Sequence, residues 1–100
     1  MKQIIKHIDI SLAKIKLKDD GVVFFDIRDS QSFIEGHIDG AINLSSSNFD
    51  DIVNKFDKSN TVIVCCYHGN SSQTAAKLLA EHGFLDVYSL DGGYEEWKVN

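Results

Sequence analysis

This sequence lacks proline and has very little arginine. No proline occurs in its 100 residues, and Arg28 is the one arginine among ten basic side chains, which stand against 15 acidic ones for a net charge of −5. A surface that binds nucleic acid normally presents a basic patch containing arginine. We therefore expect no nucleic-acid partner, and glycine is left as the main marker of turns.

Long apolar runs and spaced cysteines are lacking as well. No run approaches the roughly 18 apolar residues of a membrane span, and His7 and Asp9 interrupt the N-terminal segment before the apolar region of a secretory leader could form. Cys65 and Cys66 are adjacent and so cannot cross-link distant segments. We expect a cytoplasmic protein with no membrane partner, in which a reducing compartment keeps both thiols free.

The order of the apolar segments predicts an α/β protein. The length is that of one domain, residues 1–100. Strands are expected at 4–8, 22–27, 41–44, 61–66 and 87–90, with the continuously apolar second one at the centre of the sheet. Helices are expected at 11–18, after a Ser30 cap, behind a capping box at 47–50, at 72–82 and after Gly92. Such alternation indicates a mostly parallel sheet with helices on both faces.

Apolar spacing also predicts which helical side chains face the core. In the first helix these are Leu12 and Ile15, and in the second Phe33 and Ile34. In the helix at 72–82 the same spacing selects Ala75, Leu78, Leu79 and His82.

Cys66 stands where the fourth predicted strand turns into a helix. The segment that follows it, Tyr67-His68-Gly69-Asn70-Ser71, is short and contains a glycine. A short turn that opens a helix presents unpaired backbone N–H groups and the positive end of the helix dipole, and both favour an anion. A thiol in that position ionises below its ordinary pKa of about 8.5. The pattern therefore predicts a nucleophilic thiolate beside an anion cradle.

A second segment is expected to reach the same place. Ligands of parallel α/β sheets bind beyond the carboxyl ends of the strands, and Asp26 to Asp29 follow the second predicted strand in the way that Cys66 follows the fourth. We therefore expect Asp26 and Arg28 to support the pocket around Cys66.

Four segments, in order along the chain, resemble those of single-domain rhodaneses, the GlpE-like thiosulfate sulfurtransferases. They are Asp26-Ile27-Arg28, Gly36 to Ala41 with Asn43-Leu44, Cys66 to Ser72, and Asp91-Gly92-Gly93 with Trp97. The resemblance implies a three-layer rhodanese-like fold with a central five-stranded parallel sheet. It implies transfer of a sulfane sulfur from thiosulfate through a persulfide on Cys66 to cyanide or a thiol acceptor, possibly thioredoxin, without a cofactor.

The roles of the individual site residues are partly open at this stage. The substrate-binding set is Tyr67, His68, Gly69, Asn70 and Ser71. His68 either helps to hold an anion or simply faces solvent, Tyr67 lines or shields the pocket, and Ser71 can donate to the sulfur, whereas Ser72 is interpreted as a helix cap. Cys65 is expected to be inert packing, His37 to stabilise a turn, and Trp97 to cover the core. Arg28 is expected to pair with a nearby carboxylate, such as Asp29 or Glu35, and so to fix the loop without touching substrate. His7 and His82 do not have zinc-ligand spacing with the cysteines, so we expect no metal.

Two other functions share the same cysteine. A cysteine phosphatase or arsenate reductase would need arginine at position 72 to hold phosphate with two hydrogen bonds. This chain has Ser72 there, so that support is missing. A non-catalytic sulfur carrier or binding module would use Cys66 without turnover, and the sequence does not exclude it.

Overall fold

The strands and helices alternate along the chain, as the apolar pattern predicts. The computed structural model describes residues 5–100. The strands are β1 (Lys6–Ile8), β2 (Val22–Asp26), β3 (Ile42–Asn43), β4 (Thr61–Cys65) and β5 (Asp86–Leu90). The helices are α1 (Ile10–Lys16), α2 (Ser30–Glu35), α3 (Phe49–Lys55), α4 (Ser71–Glu81) and α5 (Gly93–Trp97).

All five strands form one parallel sheet in the order β1-β5-β4-β2-β3. The predicted five-stranded parallel sheet is thereby confirmed, but its central strand is β4, and β2 lies one position nearer the β3 edge. Part of the predicted first strand, Ile4, lies outside the described residues. In this order β4 and β5 are neighbours, so the Cys66 turn and the segment after β5 emerge side by side.

The two faces of the sheet carry separate apolar cores. Successive side chains of a strand point to opposite faces, and accordingly Phe24 and Ile63 belong to one core whereas Phe25 and Val62 belong to the other. The first core packs under α1, α2 and α5, and the second under α3 and α4. The protein is therefore built of three layers, with residues from β2 and β4 buried on both sides.

The predicted inner face of α1 is wrong. Leu12 and Ile15 are 47% and 65% exposed, whereas Ile10 and Ala13 are buried. The helix starts at Ile10, one residue before the predicted start, because Asp9 caps it by accepting the Leu12 N–H. Placing Ile10 inside the helix makes Ile10 and Ala13 the stripe that packs on the sheet.

The predicted inner face of α4 is only partly correct. Leu79 is buried, but its companions in the interface are the small residues Ser72 and Ala76, while Leu78 is 42% exposed. Small side chains let a helix approach the sheet closely, and a pattern of hydrophobic residues does not reveal where such small residues are needed. Ser72 thereby faces the sheet instead of capping the helix.

Two predicted helix caps are also corrected. Asp29, not Ser30, caps α2 by accepting the Ser32 N–H, and Ile34 on this helix is 74% exposed. At the start of α3 the N-cap residue, Asn48, makes no side-chain cap bond; its side chain instead accepts from the Ser45 N–H. Short polar side chains at these turns have several backbone partners within reach, and the sequence does not rank them.

In residues 5–100 no helix has both the length and the apolar composition needed to cross a membrane.

Phe25 gives a direct test of the second core. It is fully buried and makes edge-to-face contacts with Phe56 and Phe84, at ring-centroid distances of 5.6 and 6.4 Å. We expect Phe25→Ala to lower the free energy of unfolding by about 3–5 kcal/mol, because it leaves a cavity between the rings of Phe56 and Phe84. The matched control is Ile34→Ala, at an exposed apolar position, which should change it by less than about 0.5 kcal/mol. Urea denaturation of both variants measures the difference, and equal losses would contradict this core assignment.

Candidate active site

Cys66 is the first residue of the loop that joins β4 to α4, the Cys66 loop (residues 66–70). The strand ends at Cys65, one residue before the predicted end. The sulfur of Cys66 accepts a hydrogen bond from the Gly69 N–H at 3.1 Å and lies 3.3 Å from the Ser72 hydroxyl oxygen. Although Cys66 is only 3% exposed, it lines a pocket of about 140 Å³ together with Tyr67, His68, Asn70 and Ser71. Four of the five predicted loop residues therefore line one pocket with Cys66, and the N–H of the fifth, Gly69, contacts the sulfur.

Backbone contacts with α5 hold the Cys66 loop in this shape. The Tyr94 N–H donates to the Cys66 carbonyl at 2.8 Å, and the Glu95 N–H donates to the Tyr67 carbonyl at 3.0 Å. In a trans peptide the C=O and the N–H point in opposite directions. Drawing these two carbonyls toward α5 therefore turns the N–H groups of Tyr67 and His68 to the opposite side, where the sulfur lies.

Two glycines make this arrangement sterically possible. Gly69 has φ +96° and Gly93 has φ +62°, both in the region that glycine adopts freely. A Cβ on Gly93 would lie 2.5 Å from the carbonyl oxygens of both Cys66 and Tyr67. The Asp91-Gly92-Gly93 motif thus serves the site through its backbone, by letting α5 approach the Cys66 loop.

Hydrogen bonds outweigh burial in setting the acidity of Cys66. Burial is the largest single influence on its pKa and acts to raise it. The opposing influences are the hydroxyl of Ser72 and the backbone N–H groups of Ser72, Gly69 and His68, which stabilise the anion. Together they bring the pKa of the Cys66 thiol below its ordinary value, so the thiolate is more abundant at neutral pH than for a free cysteine.

Cys65 is the opposite case. It is fully buried, and burial together with the nearby charge of Asp26 raises its pKa to about 12 in spite of Arg28. Its sulfur belongs to the core under α1, α2 and α5. These features support the expected packing role for Cys65.

Asp26 and Arg28 form a buried ion pair beside the Cys66 loop. Arg28 donates from Nε and Nη2 to the Asp26 carboxylate at 2.7–3.1 Å and from Nη2 to the Gly36 carbonyl at 2.7 Å. Arg28 therefore pairs with a nearby carboxylate, as predicted, but the partner is Asp26 and not Asp29 or Glu35. The chain turns back directly after β2 so that Asp26 lies within reach, whereas Asp29 is occupied as the cap of α2.

The Asp26–Arg28 pair contacts the site indirectly. The guanidinium of Arg28 lies 4.1 Å from the ring centroid of Tyr94, the residue whose N–H holds the Cys66 carbonyl. Arg28 lines a separate polar pocket of about 220 Å³, which it shares with Tyr67 and Tyr94, and it is not among the residues lining the Cys66 pocket. Its contacts are those of a brace for the Cys66 loop and α5.

Tyr67 separates these two pockets, since it lines both. Its hydroxyl donates to the Asp29 carboxylate and lies 3.0 Å from the Ser32 hydroxyl. The Tyr67 bond, followed by those from Ser32, lowers the pKa of Asp29 to about 2. Tyr67 is therefore anchored at its far end and forms a fixed wall of the pocket, whereas His68 is exposed at the mouth.

Sequence reasoning missed two hydroxyl groups. Ser72, interpreted as a cap, contacts the sulfur, and its oxygen also lies 2.7 Å from the oxygen of Ser89 on β5. Ser72 could have been suspected from its place at the start of the helix, six residues after the cysteine, but Ser89 carries no local signal, because its position depends on the pairing of β4 with β5.

The largest cavity near these elements is a different one. It has a volume of about 460 Å³ and a mainly apolar lining from α3, α4 and the ends of β2 and β3, including Phe49 and Leu78. None of the residues 66–70 lines it. In residues 5–100, no three His, Cys, Asp or Glu side chains lie close enough together to hold a metal ion. The smaller pocket at Cys66 is therefore the one that combines a nucleophile with converging donors.

An α/β protein that holds a cysteine sulfur among the amides of a strand-to-helix loop belongs to the class that handles small anions covalently. Comparison with known proteins makes the assignment specific: the family model for the rhodanese-like domain matches residues 10–100. This chain belongs to the rhodanese-like family.

Named relatives agree with the family assignment. The chain is 51% identical over 84 residues to the thiosulfate sulfurtransferase GlpE of Ectopseudomonas mendocina, which covers 84% of this chain and 77% of that protein. It is 46% identical over 92 residues to the GlpE of Shewanella oneidensis, covering 92% and 91%. The matched region therefore spans most of this chain and most of each relative.

Solved structures agree with the fold. The rhodanese-like domain of an Anabaena protein superimposes with a TM-score of 0.83 at 26% identity, covering 96% of this chain and 75% of that one. A rhodanese-like domain protein from Staphylococcus aureus gives a TM-score of 0.81 at 26% identity, covering 93% and 91%. The three-layer rhodanese-like architecture is thereby confirmed.

Gly93 gives a test of the contact between α5 and the Cys66 loop. Gly93→Ala places a methyl group against two carbonyl oxygens at a positive φ, so we expect it to lower the free energy of unfolding by at least about 1–3 kcal/mol. Gly21→Ala is the matched control, because a Cβ there meets nothing within 4 Å. Chemical denaturation of the two variants measures the difference. A Gly93→Ala protein as stable as the control would show that α5 is not pressed against the loop.

Proposed function

We propose that this chain is a thiosulfate sulfurtransferase that carries a sulfane sulfur on Cys66. The observation on which the proposal mainly rests is the pair of donors at the Cys66 sulfur, the Gly69 N–H 3.1 Å away and the Ser72 hydroxyl 3.3 Å away, beside a pocket that Cys66 lines. The named GlpE relatives, about half identical in sequence, support the same activity.

In the first step the thiolate of Cys66 attacks the outer sulfur of thiosulfate. A bond forms between the two sulfurs, the sulfur–sulfur bond of thiosulfate breaks, and its electron pair leaves with sulfite. Cys66 is left as a persulfide anion, so one negative charge remains on the enzyme throughout. In the second step cyanide or a thiolate acceptor takes the outer sulfur and regenerates the thiolate, which predicts ping-pong kinetics.

The site residues have distinct roles in this proposal. The N–H groups of the Cys66 loop hold the dianionic donor and then the persulfide, replacing water by fixed dipoles. Gly69 gives the loop its curvature, Tyr67 forms one wall, and His68, Asn70 and Ser71 line the mouth. Asp26 and Arg28 brace the loop from outside the pocket. Because the net charge of −5 repels anions at long range, attraction is local and steering is weak.

The acceptor is proposed to be a thiol, either of low molecular weight or on a protein such as thioredoxin. A pocket of about 140 Å³ admits a thiolate tip but not a folded chain, so a protein acceptor has to present its cysteine from a protruding loop. Two adjacent free thiols are compatible with a cytoplasmic, reducing location, which is part of the proposal.

A phosphatase or arsenate reductase is disfavoured by the position of the one arginine. The Arg28 guanidinium is occupied by Asp26 and by the Gly36 carbonyl, and the residue at position 72 is a buried serine. Phosphoryl transfer at a cysteine loop depends on a bidentate arginine, which the residues around this pocket do not supply.

Persulfide formation tests the chemical step. Intact-protein mass spectrometry after incubation with thiosulfate should show a gain of one sulfur atom that cyanide removes. Cys66→Ser should abolish the gain. Cys65→Ser is the matched control at the neighbouring position, and it should retain the gain because the Cys65 thiol is buried with a pKa of about 12. Sulfur found on Cys65, or retained in Cys66→Ser, would contradict the proposal.

Turnover distinguishes the enzyme from the two alternatives. With thiosulfate and cyanide in excess, we expect many equivalents of thiocyanate per protein, with parallel double-reciprocal lines. One equivalent of sulfite without further turnover would instead indicate a sulfur carrier. Hydrolysis of an aryl phosphate at a comparable rate would indicate a phosphatase, and Ser72→Arg is not expected to create that activity, because Ser72 is buried against Ser89.

A further inference from the structure

Two fully buried serines connect the sheet to the sulfur. Ser72 on α4 and Ser89 on β5 are each 0% exposed, and their oxygens lie 2.7 Å apart. Ser72 in turn contacts the Cys66 sulfur at 3.3 Å. A hydroxyl taken out of water costs free energy unless it is hydrogen-bonded. A small apolar side chain could have filled either position without that cost. The three groups form a linear chain that ends at the reactive sulfur.

The number of protons in this chain favours an ionised sulfur. Within residues 5–100, the side-chain hydrogen bonds of the two hydroxyls are the two links just described. If the thiol is neutral, Cys66, Ser72 and Ser89 carry three protons in all but form two hydrogen bonds. One proton then has no acceptor among the three groups. With the sulfur ionised, Ser89 donates to Ser72 and Ser72 donates to the sulfur, so that every proton is used. Hydrogen bonds to a charged acceptor are also the stronger kind.

We propose that Ser89 is a positioning residue that holds the Ser72 hydroxyl on the sulfur of Cys66. A serine hydroxyl rotates about its C–O bond and can point its proton to whichever acceptor is in reach. Accepting a hydrogen bond from Ser89 fixes the Ser72 oxygen so that its own proton points to the sulfur. This role of Ser89 at the thiolate is independent of the proposed function, whereas the same role at the persulfide rests on the proposed function.

Other charged and titratable groups surround the sulfur on the elements packed against it. They are Asp26 at the end of β2, Arg28 after it, Cys65 at the end of β4, Tyr67 and His68 in the Cys66 loop, Tyr94 and Glu95 on α5, and His7, which pairs in register with Ser89. No hydrogen bond joins any of them to the Ser89 hydroxyl, whose side-chain partner within residues 5–100 is Ser72.

The test is the pH dependence of alkylation of Cys66 by iodoacetamide, with the modified residue located by peptide mass spectrometry. We expect Ser72→Ala to move the midpoint upward by about one pH unit, a tenfold loss of thiolate below the midpoint. Ser89→Ala should move it in the same direction by about half a unit or more. If Ser89 acts through Ser72, the double variant should show no larger shift than Ser72→Ala.

Two controls separate positioning from general loosening of the fold. Val87→Ala removes buried packing from the same strand, β5, without touching the hydroxyl chain, and should leave the midpoint unchanged. Ser89→Thr restores a hydroxyl and should return the midpoint toward its wild-type value. An unchanged midpoint in Ser89→Ala, additive shifts in the double variant, or an equal shift in Val87→Ala would each overturn the proposal. Because alkylation needs no sulfur donor, the expected shifts in a protein that transfers no sulfur would support Ser89 as a positioning residue and refute the sulfurtransferase.

Discussion

The site depends on the hydrogen bonds that α5 makes to the carbonyl groups of Cys66 and Tyr67. Those carbonyls have to point away from the sulfur if the neighbouring N–H groups are to point toward it, since the two ends of a trans peptide are opposed. The sheet order makes the contact possible, because β5 lies beside β4 and the chain turns from β5 directly into α5. The Asp91 N–H, held by the Ile8 carbonyl at 2.9 Å, fixes the start of that turn. The N–H groups of the Cys66 loop are thus held in place by α5, and the edge strand β1 fixes the turn that leads into α5.

Burial disfavours ionisation of Cys66, and the hydrogen bonds that overcome this effect also serve the chemistry of the site. A sulfur that is 3% exposed would ordinarily remain protonated. Here the Gly69 N–H and the Ser72 hydroxyl replace water as fixed partners, so little solvent has to reorganise when charge moves between donor and acceptor. Binding an anion through dipoles also avoids placing a cation in the pocket, where it would have to be desolvated. The one arginine can then be used for bracing, with its charge neutralised by Asp26.

Local features were predictable from the sequence, whereas features that depend on strand order were not. The turn at Cys66 is encoded within a few residues by an apolar strand, a glycine and a helix, and it was predicted. The contact between Ser72 and Ser89 joins residues 17 apart on α4 and β5, so it exists only because β5 pairs with β4. The partner of Arg28 was missed for a related reason: Asp29 is close in sequence but is used as the α2 cap, which leaves Asp26. On α1, counting Ile10 outside the helix shifted the predicted face to the exposed Leu12 and Ile15.

The two adjacent cysteines show how far one backbone position determines chemistry. Cys65 is the last residue of β4, and its side chain enters the core under α1, α2 and α5, where burial and the Asp26 charge raise its pKa to about 12. Cys66 lies one residue later, beyond the strand, and its side chain emerges where α4 begins, among unpaired N–H groups that lower its pKa. The same functional group is thus inert at one position and more readily ionised at the next. What separates them is the place where β4 ends, because Cys65 is the last residue of the strand and Cys66 is the first residue of the loop whose Gly69 N–H contacts the sulfur.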